Sequence, residues 1–251
     1  NEGTAVLNGG TFNRSQEAGS SADASGNNSY YTVGNHGTMA INDGVTVTQN
    51  GKFSSLLENG WYDGTQNTSA ADSVLTIEGG TFSGGLNTIK NDDYGVLYIN
   101  GGSFENVAQA ALLNWNEAEI SGGTFTADET SSCVVLNGYI NDTMDAGTLK
   151  ITGGTFTGGE GTDALNTMGG SYNSGAIEIS GGEFNGDIVL GNGNRSSGTL
   201  SISGDAVVNG NISNTNSDAI TVTGGTITGT VSNTGTGTTE ISGGEFTVQP
   251  S

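Results

Sequence analysis

The chain has 251 residues, of which 26 are Asp or Glu and five are Lys or Arg, a formal charge of −21. Arg14, Lys52, Lys90, Lys150 and Arg195 are too few and too scattered to neutralise a phosphate backbone or an anionic bilayer, so neither nucleic acid nor a membrane surface is an expected partner. No apolar run approaches the roughly 18 residues of a membrane span, and 45 Gly with a single Pro fit neither collagen nor a Pro-rich linker.

An apolar-x-apolar-x-Gly-Gly-x-Phe phrase recurs along the chain. A drifted copy runs from Leu7 to Phe12 and a weak one from Met39 to Gly44. The clearest copy is Leu75-Thr-Ile77-Glu-Gly79-Gly80-Thr-Phe82, followed by copies ending at Phe104, Phe125, Phe156 and Phe184. Drifted copies run from Leu200 to Val207 and from Ile220 to Ile227, and a clean one ends at Phe246. Period-2 alternation puts Leu75 and Ile77 on one face and Thr76 and Glu78 on the other. The Gly pair then turns the chain, and Phe82 starts the next inward-facing strand. Outward positions such as Glu119, Lys150, Glu178 and Ser201 read as a solvated flank.

A second phrase, apolar-x-Asn, falls between successive Gly pairs. It places Asn35, Asn59, Asn91, Asn114, Asn137, Asn166, Asn192, Asn214 and Asn233 at equivalent points. Asn tolerates corner backbone angles, and its amide both donates and accepts, so the spacing predicts an asparagine ladder running along the stack. With Gly pairs 19 to 31 residues apart, each period is one coil of three short strands. The expectation is an all-β, right-handed parallel β-helix of nine to ten coils, one domain over residues 1–251, with Ile and Phe stacked inside. Residues 13–32 form an N-terminal insertion or cap, and Cys133, in the run Cys133-Val-Val-Leu136, is a small buried hydrophobe.

The Ile120-Ser-Gly-Gly-Thr-Phe125 phrase, with the ending Gly243-Gly-Glu-Phe-Thr-Val-Gln-Pro-Ser251, resembles the repeats of surface-anchored parallel β-helix proteins of gut Firmicutes. The resemblance covers nearly the whole chain and implies an extracellular, cell-wall-attached location through regions outside this sequence. It also implies that the chain is a segment of a larger protein. It speaks to architecture far more than to activity.

Aromatic and acidic residues collect just after the ladder positions. Asn59 is followed by Trp61, Tyr62 and Asp63; Asn91 by Asp92, Asp93 and Tyr94; Asn114 by Trp115 and Glu117. Asn137 precedes Tyr139 and Asp142, and Asn166 precedes Tyr172. Stacked coils would align them as a strip along one edge. Such rings stack on sugars or anchor a protein, or else fold back over the apolar corner beneath them. Catalysis is the weaker expectation. Lys90, Asp92 and Asp93, with His36 and Lys52 within a coil or two, form the best cluster, but the Asn-Thr-Asp and Arg-Ile-Lys motifs of β-helix hydrolases are absent. Nothing offers a zinc site or a spaced Asp calcium loop, so no cofactor is expected beyond weak Ca²⁺ binding. Thr221, Thr223, Thr226, Thr228 and Thr230 occupy essentially one coil, too little for an ice-binding face.

The sequence therefore reads as a non-enzymatic, monomeric, adhesin-like binding domain for a host glycoprotein, immunoglobulin or glycan. The alternatives are a β-helix glycosidase or lyase and a purely structural stalk.

Overall fold

The computed structural model describes residues 1–14, 31–61, 71–138, 147–167, 175–191 and 198–250. The chain coils as a right-handed parallel β-helix whose described elements are all β-strands. The first coil is β1 (Thr4–Leu7), β2 (Gly10–Arg14) and β3 (Val33–Asn35). Every third strand joins the same sheet, giving two ten-stranded sheets and one nine-stranded sheet. The first sheet ends at β28 (Thr239–Ile241), the second at β29 (Glu245–Phe246) and the third at β27 (Val231–Asn233). At about 4.8 Å per coil the stack is a rod of roughly 45 Å.

Parallel pairing in constant register sets like residues above like. In the first sheet Ile77 pairs with Ile99, Ile99 with Ile120, and Ile120 with Ile151. In the second, Phe82, Phe104, Phe125, Phe156 and Phe184 stack nearly parallel, their ring centroids 4.6–4.9 Å apart. That spacing is the strand spacing itself, so each ring rides on the backbone ladder beneath it. The third sheet completes the core with Leu57, Ile89, Leu112, Val135 and Leu165. All are sealed from water.

The two glycines of each pair do different jobs. Gly102 sits at φ 106°, in the left-handed region that side chains resist. Gly101 is needed for closeness: a Cβ there would lie 2.6 Å from the Glu78 carbonyl of the coil below.

Three sequence expectations shift. Val208, not Val207, continues the phenylalanine column, pairing with Phe184. Gly204-Asp205-Ala206 adds one residue to that turn, and Val208 is the side chain that reaches the core. Second, β2 extends through Asn13 and Arg14, which pair with Thr48 and Gln49, so the insertion begins inside a strand. The rest of that insertion, from 15 to 30, lies outside the described residues, while Thr32 is tied by its hydroxyl to the Gln49 side chain (2.9 Å).

The third shift concerns the ladder. Leu165, not Ala164, pairs with Val135 in the inward column, which puts Asn166 on the outer face and Thr167 at the ladder position. In the next coil Leu190 aligns with Asn214, and Asn192 lies outside the described residues. Filling the apolar column outweighs keeping every amide in line, because a buried Leu side chain is worth about 1.5–3 kcal/mol and a typical net hydrogen bond about 1.

Two substitutions measure the core. Phe125→Ala removes the middle ring of the stack and is expected to cost about 3–5 kcal/mol. Ile151→Asp buries an unpaired carboxylate and is expected to unfold the neighbouring coils. Both are read by amide hydrogen exchange coil by coil, since long repeat arrays do not unfold as one cooperative unit; native protection at β16 (Thr148–Ile151) in Ile151→Asp would contradict the inward assignment.

Candidate functional site at the asparagine corner

The ladder runs where the third sheet turns into the first. Asn35 Nδ2 donates to Asn59 Oδ1 (2.8 Å), Asn59 to Asn91 (2.9 Å), Asn91 to Asn114 (2.9 Å) and Asn114 to Asn137 (2.8 Å). Asn1 extends it below, donating to Asn35 Oδ1 at 2.8 Å. The amides from Asn35 to Asn137 are sealed from solvent, while Asn1 is exposed, and Asn91 also donates to the Gly95 carbonyl of its own turn (3.0 Å). The ladder both joins coils and fixes each corner. Above Thr167 it resumes as separate turn anchors, with Asn214 and Asn233 donating to the carbonyls of Asp218 (2.6 Å) and Gly237 (2.8 Å).

Outside the ladder sits a buried ionic group that sequence reading grasped only in part. The middle residue of the apolar-x-Asn phrase faces outward from the third sheet, and there Glu58 stacks in register with Lys90. Both are nearly inaccessible, at 3% and 5% exposure. Lys90 Nζ pairs with Asp92 Oδ2 at 3.0 Å and lies 4.3 Å from the centre of the Trp115 ring. The Glu58 carboxylate meets His36 Nε2 at 3.2 Å, and the His36 ring stacks on Trp61 with centroids 3.9 Å apart. Trp61 is itself held by its backbone N–H to the Asp93 carbonyl (2.8 Å). Glu58 went unnoticed as a site residue, although the signal was present: opposite charges at the same phrase position in successive coils, Leu57-Glu-Asn59 and Ile89-Lys-Asn91.

The expected strip survives only in part. Trp115 is buried with Ala110, Leu113, Cys133 and Leu136 in a second, smaller apolar cluster, so it covers the corner rather than presenting a ring. Asp92 and Asp93 are also buried. Trp61 and Tyr94 are half-exposed, and Glu117 is exposed but belongs to the first sheet, in β13 (Glu117–Ile120). Tyr62, Asp63, Tyr139, Asp142 and Tyr172 lie outside the described residues. Lys52 is not part of the cluster; its ammonium donates to the Val107 carbonyl (2.8 Å). Cys133 is buried, and burial holds its thiol well above the usual range, which makes it inert. Among the described residues no group of three or more His, Cys, Asp or Glu is placed to hold a metal ion.

Burial dominates the electrostatics. Desolvation pushes Asp92 up to about 7, against the pull of the adjacent Lys90, with Glu58 and Asp93 adding to the rise. Its Oδ1 accepts no hydrogen bond among the described residues. The bond to Glu58 raises His36 above its ordinary value, in part offset by burial. No protein-family model, no curated protein and no solved structure matches the chain.

Both shifts favour the protonated native state. For Asp92 the resulting stability is complete below its unfolded pKa of 3.8 and is lost as pH rises to about 7; for His36 it is complete below 6.5 and lost through the raised value. Exchange protection of β6 (Leu57–Asn59) and β9 (Asn87–Asn91), corrected for intrinsic rates, is therefore expected to fall between pH 5 and pH 8. Asp92→Asn should flatten that slope even though it costs absolute stability. An unchanged slope would mean that the Asp92 proton is not held by the fold.

Proposed function

We propose that this chain is a non-enzymatic binding segment of a bacterial surface protein, engaging a host glycoprotein or immunoglobulin through the asparagine corner. The observation that carries this reading is a pair of half-exposed aromatic residues on one edge, Trp61 with its ring clamped and Tyr94 with its backbone constrained. Trp61 is clamped between its stacking contact with His36 and its hydrogen bond to Asp93. Tyr94 is the one non-glycine residue with positive φ (59°) among the described residues. A strained angle on a bulky residue persists only where its surroundings over-determine it, and such residues gather at functional sites. A ring ordered before binding, as Trp61 is, loses little entropy on contact, and Trp and Tyr are the usual anchors of protein interfaces.

The burial of the acidic groups argues for binding over catalysis. Asp92, the carboxyl with the raised pKa, is fully closed to solvent and Asp93 nearly so, whereas a general acid has to reach its substrate. The acidic surface and repeat architecture suit an extracellular, wall-attached setting. A stalk that only spaces other domains is the second reading, favoured by apolar columns that run unbroken from Ile41 to Val222.

Immobilised chain presented with purified immunoglobulin and mucin-type glycoprotein separates these readings. Binding is expected, with Trp61→Ala weakening it by about thirtyfold, as for an interface anchor worth ~2 kcal/mol. Tyr94→Gly deletes the second ring while relieving its backbone strain, so it should lose affinity without losing stability. Equal capture by wild type and both variants would exclude the corner as the contact; no capture at all would leave the stalk.

A further inference from the structure

Among the described residues the aromatic side chain most open to solvent is not at the corner. Among the described residues Tyr98 is the only large exposed aromatic, at 37%, and it projects from the outer face of the first sheet. Strand pairing puts it in one column with Glu119, Lys150 and Glu178. Beside it, over β13, β16 and β19 (Ala176–Ile179), lies a cavity of about 200 Å³ lined by Glu117, Glu119, Thr148, Lys150, Ala176 and Glu178. The small Thr148 and Ala176 side chains leave the hollow, and the three carboxylates and the ammonium stand around it.

We propose that this face binds an uncharged, extended glycan, with Tyr98 as the stacking platform and the Glu119–Lys150–Glu178 column as the hydroxyl-recognising row. The charge pattern selects the ligand. An anionic polymer would meet three carboxylates on a chain of net charge −21. A polycation would meet the Lys150 ammonium, which stands in the row between Glu119 and Glu178. A sugar hydroxyl both donates and accepts, so it suits alternating carboxylate, ammonium and carboxylate groups.

Size and spacing agree. The hollow is smaller than the roughly 300–1,000 Å³ of a pocket that encloses a whole small molecule, so it reads as a subsite for one ring of a longer ligand. From Tyr98 to Glu178 are three strand spacings, roughly 14 Å in all, and the rings of an extended β-linked glycan advance by about one such spacing each. The row is also free to engage. Lys150 Nζ pairs with Glu119 Oε1 at 2.9 Å, but both side chains are well exposed, at 52% and 40%. An exposed pair of this kind is worth about 0–1 kcal/mol, so hydroxyls can replace it at little cost. Tyr98 presents a flat apolar face of the kind that stacks against the C–H face of a pyranose.

This surface does not depend on the Trp61–Tyr94 contact, and the test keeps the two apart. The full chain is titrated calorimetrically with neutral β-linked gluco-, xylo- and N-acetylglucosamine oligomers of three to six rings, alongside polyuronate and chitosan oligomers. At least one neutral series is expected to bind, tightening with length up to three rings. Tyr98→Ala and Lys150→Ala should each weaken it about tenfold or more, equal to about 1.4 kcal/mol, with circular dichroism unchanged, and Trp61→Ala should leave it intact. Saturation-transfer contacts from the bound oligomer should fall on the Tyr98 ring. Failure of every neutral oligomer, preference for a charged series, binding that survives Tyr98→Ala and Lys150→Ala, or binding lost only in Trp61→Ala would each overturn the assignment.

Discussion

Successive coils hydrogen-bond in parallel and in register, and that constraint governs everything else in this protein. Once Ile99 pairs with Ile77 and Phe104 with Phe82, every other position of the coil is aligned with its equivalent below. A narrow column then suffices as a core, because each inward residue is covered by its own counterpart at the strand spacing. This is how a chain only 32% hydrophobic, with a formal charge of −21, sustains a continuous interior. The same alignment places outward residues in rows, so side chains far apart in sequence act as neighbours.

The corner shows two demands on one register. Amides sealed from solvent must find partners, and the ladder from Asn35 to Asn137, closed below by the exposed Asn1, satisfies them coil by coil. Where Leu165 fills the apolar column and the next coil sets Leu190 at the ladder position, the column keeps its alignment and the ladder yields. Thr167 then holds the corner differently, its hydroxyl accepting the Gly191 N–H at 2.8 Å. The ladder is thus a consequence of the stacked core, not an independent scaffold.

The buried ionic group outside the ladder follows from the same geometry. Glu58 and Lys90 occupy outward positions that would be solvated on the other two sheets, yet here they are enclosed. An enclosed charge needs a partner: Lys90 finds Asp92, Glu58 finds His36, and one tryptophan packs on the Lys90 ammonium while the other stacks on the His36 ring. The result is a rigid, proton-sensitive corner, quite unlike the open and well-hydrated face that carries Tyr98.

The sequence alone determined the coil. Alternation at Leu75 and Ile77, the Gly79-Gly80 turn and the recurring Phe specify strand, corner and strand through local chemistry, and repetition specifies the stack. Even the ladder from Asn35 to Asn137 was legible, because a polar residue at a fixed phase of an apolar repeat has few other roles. Tertiary structure decided what depends on enclosure. Trp115 and Trp61 look alike in sequence, each following a ladder Asn, but one is sealed among Leu113 and Leu136 while the other keeps an open edge. Lys150 and Lys90 are likewise both single cations at outward positions within strands, one solvated and one buried. Local pattern sets which face a side chain leaves by; whether water or protein meets it there depends on chain brought in from elsewhere. One extra residue in the Gly204–Ala206 turn moves the phenylalanine column to Val208 for the same reason: the core it must fill is built by the coils on either side.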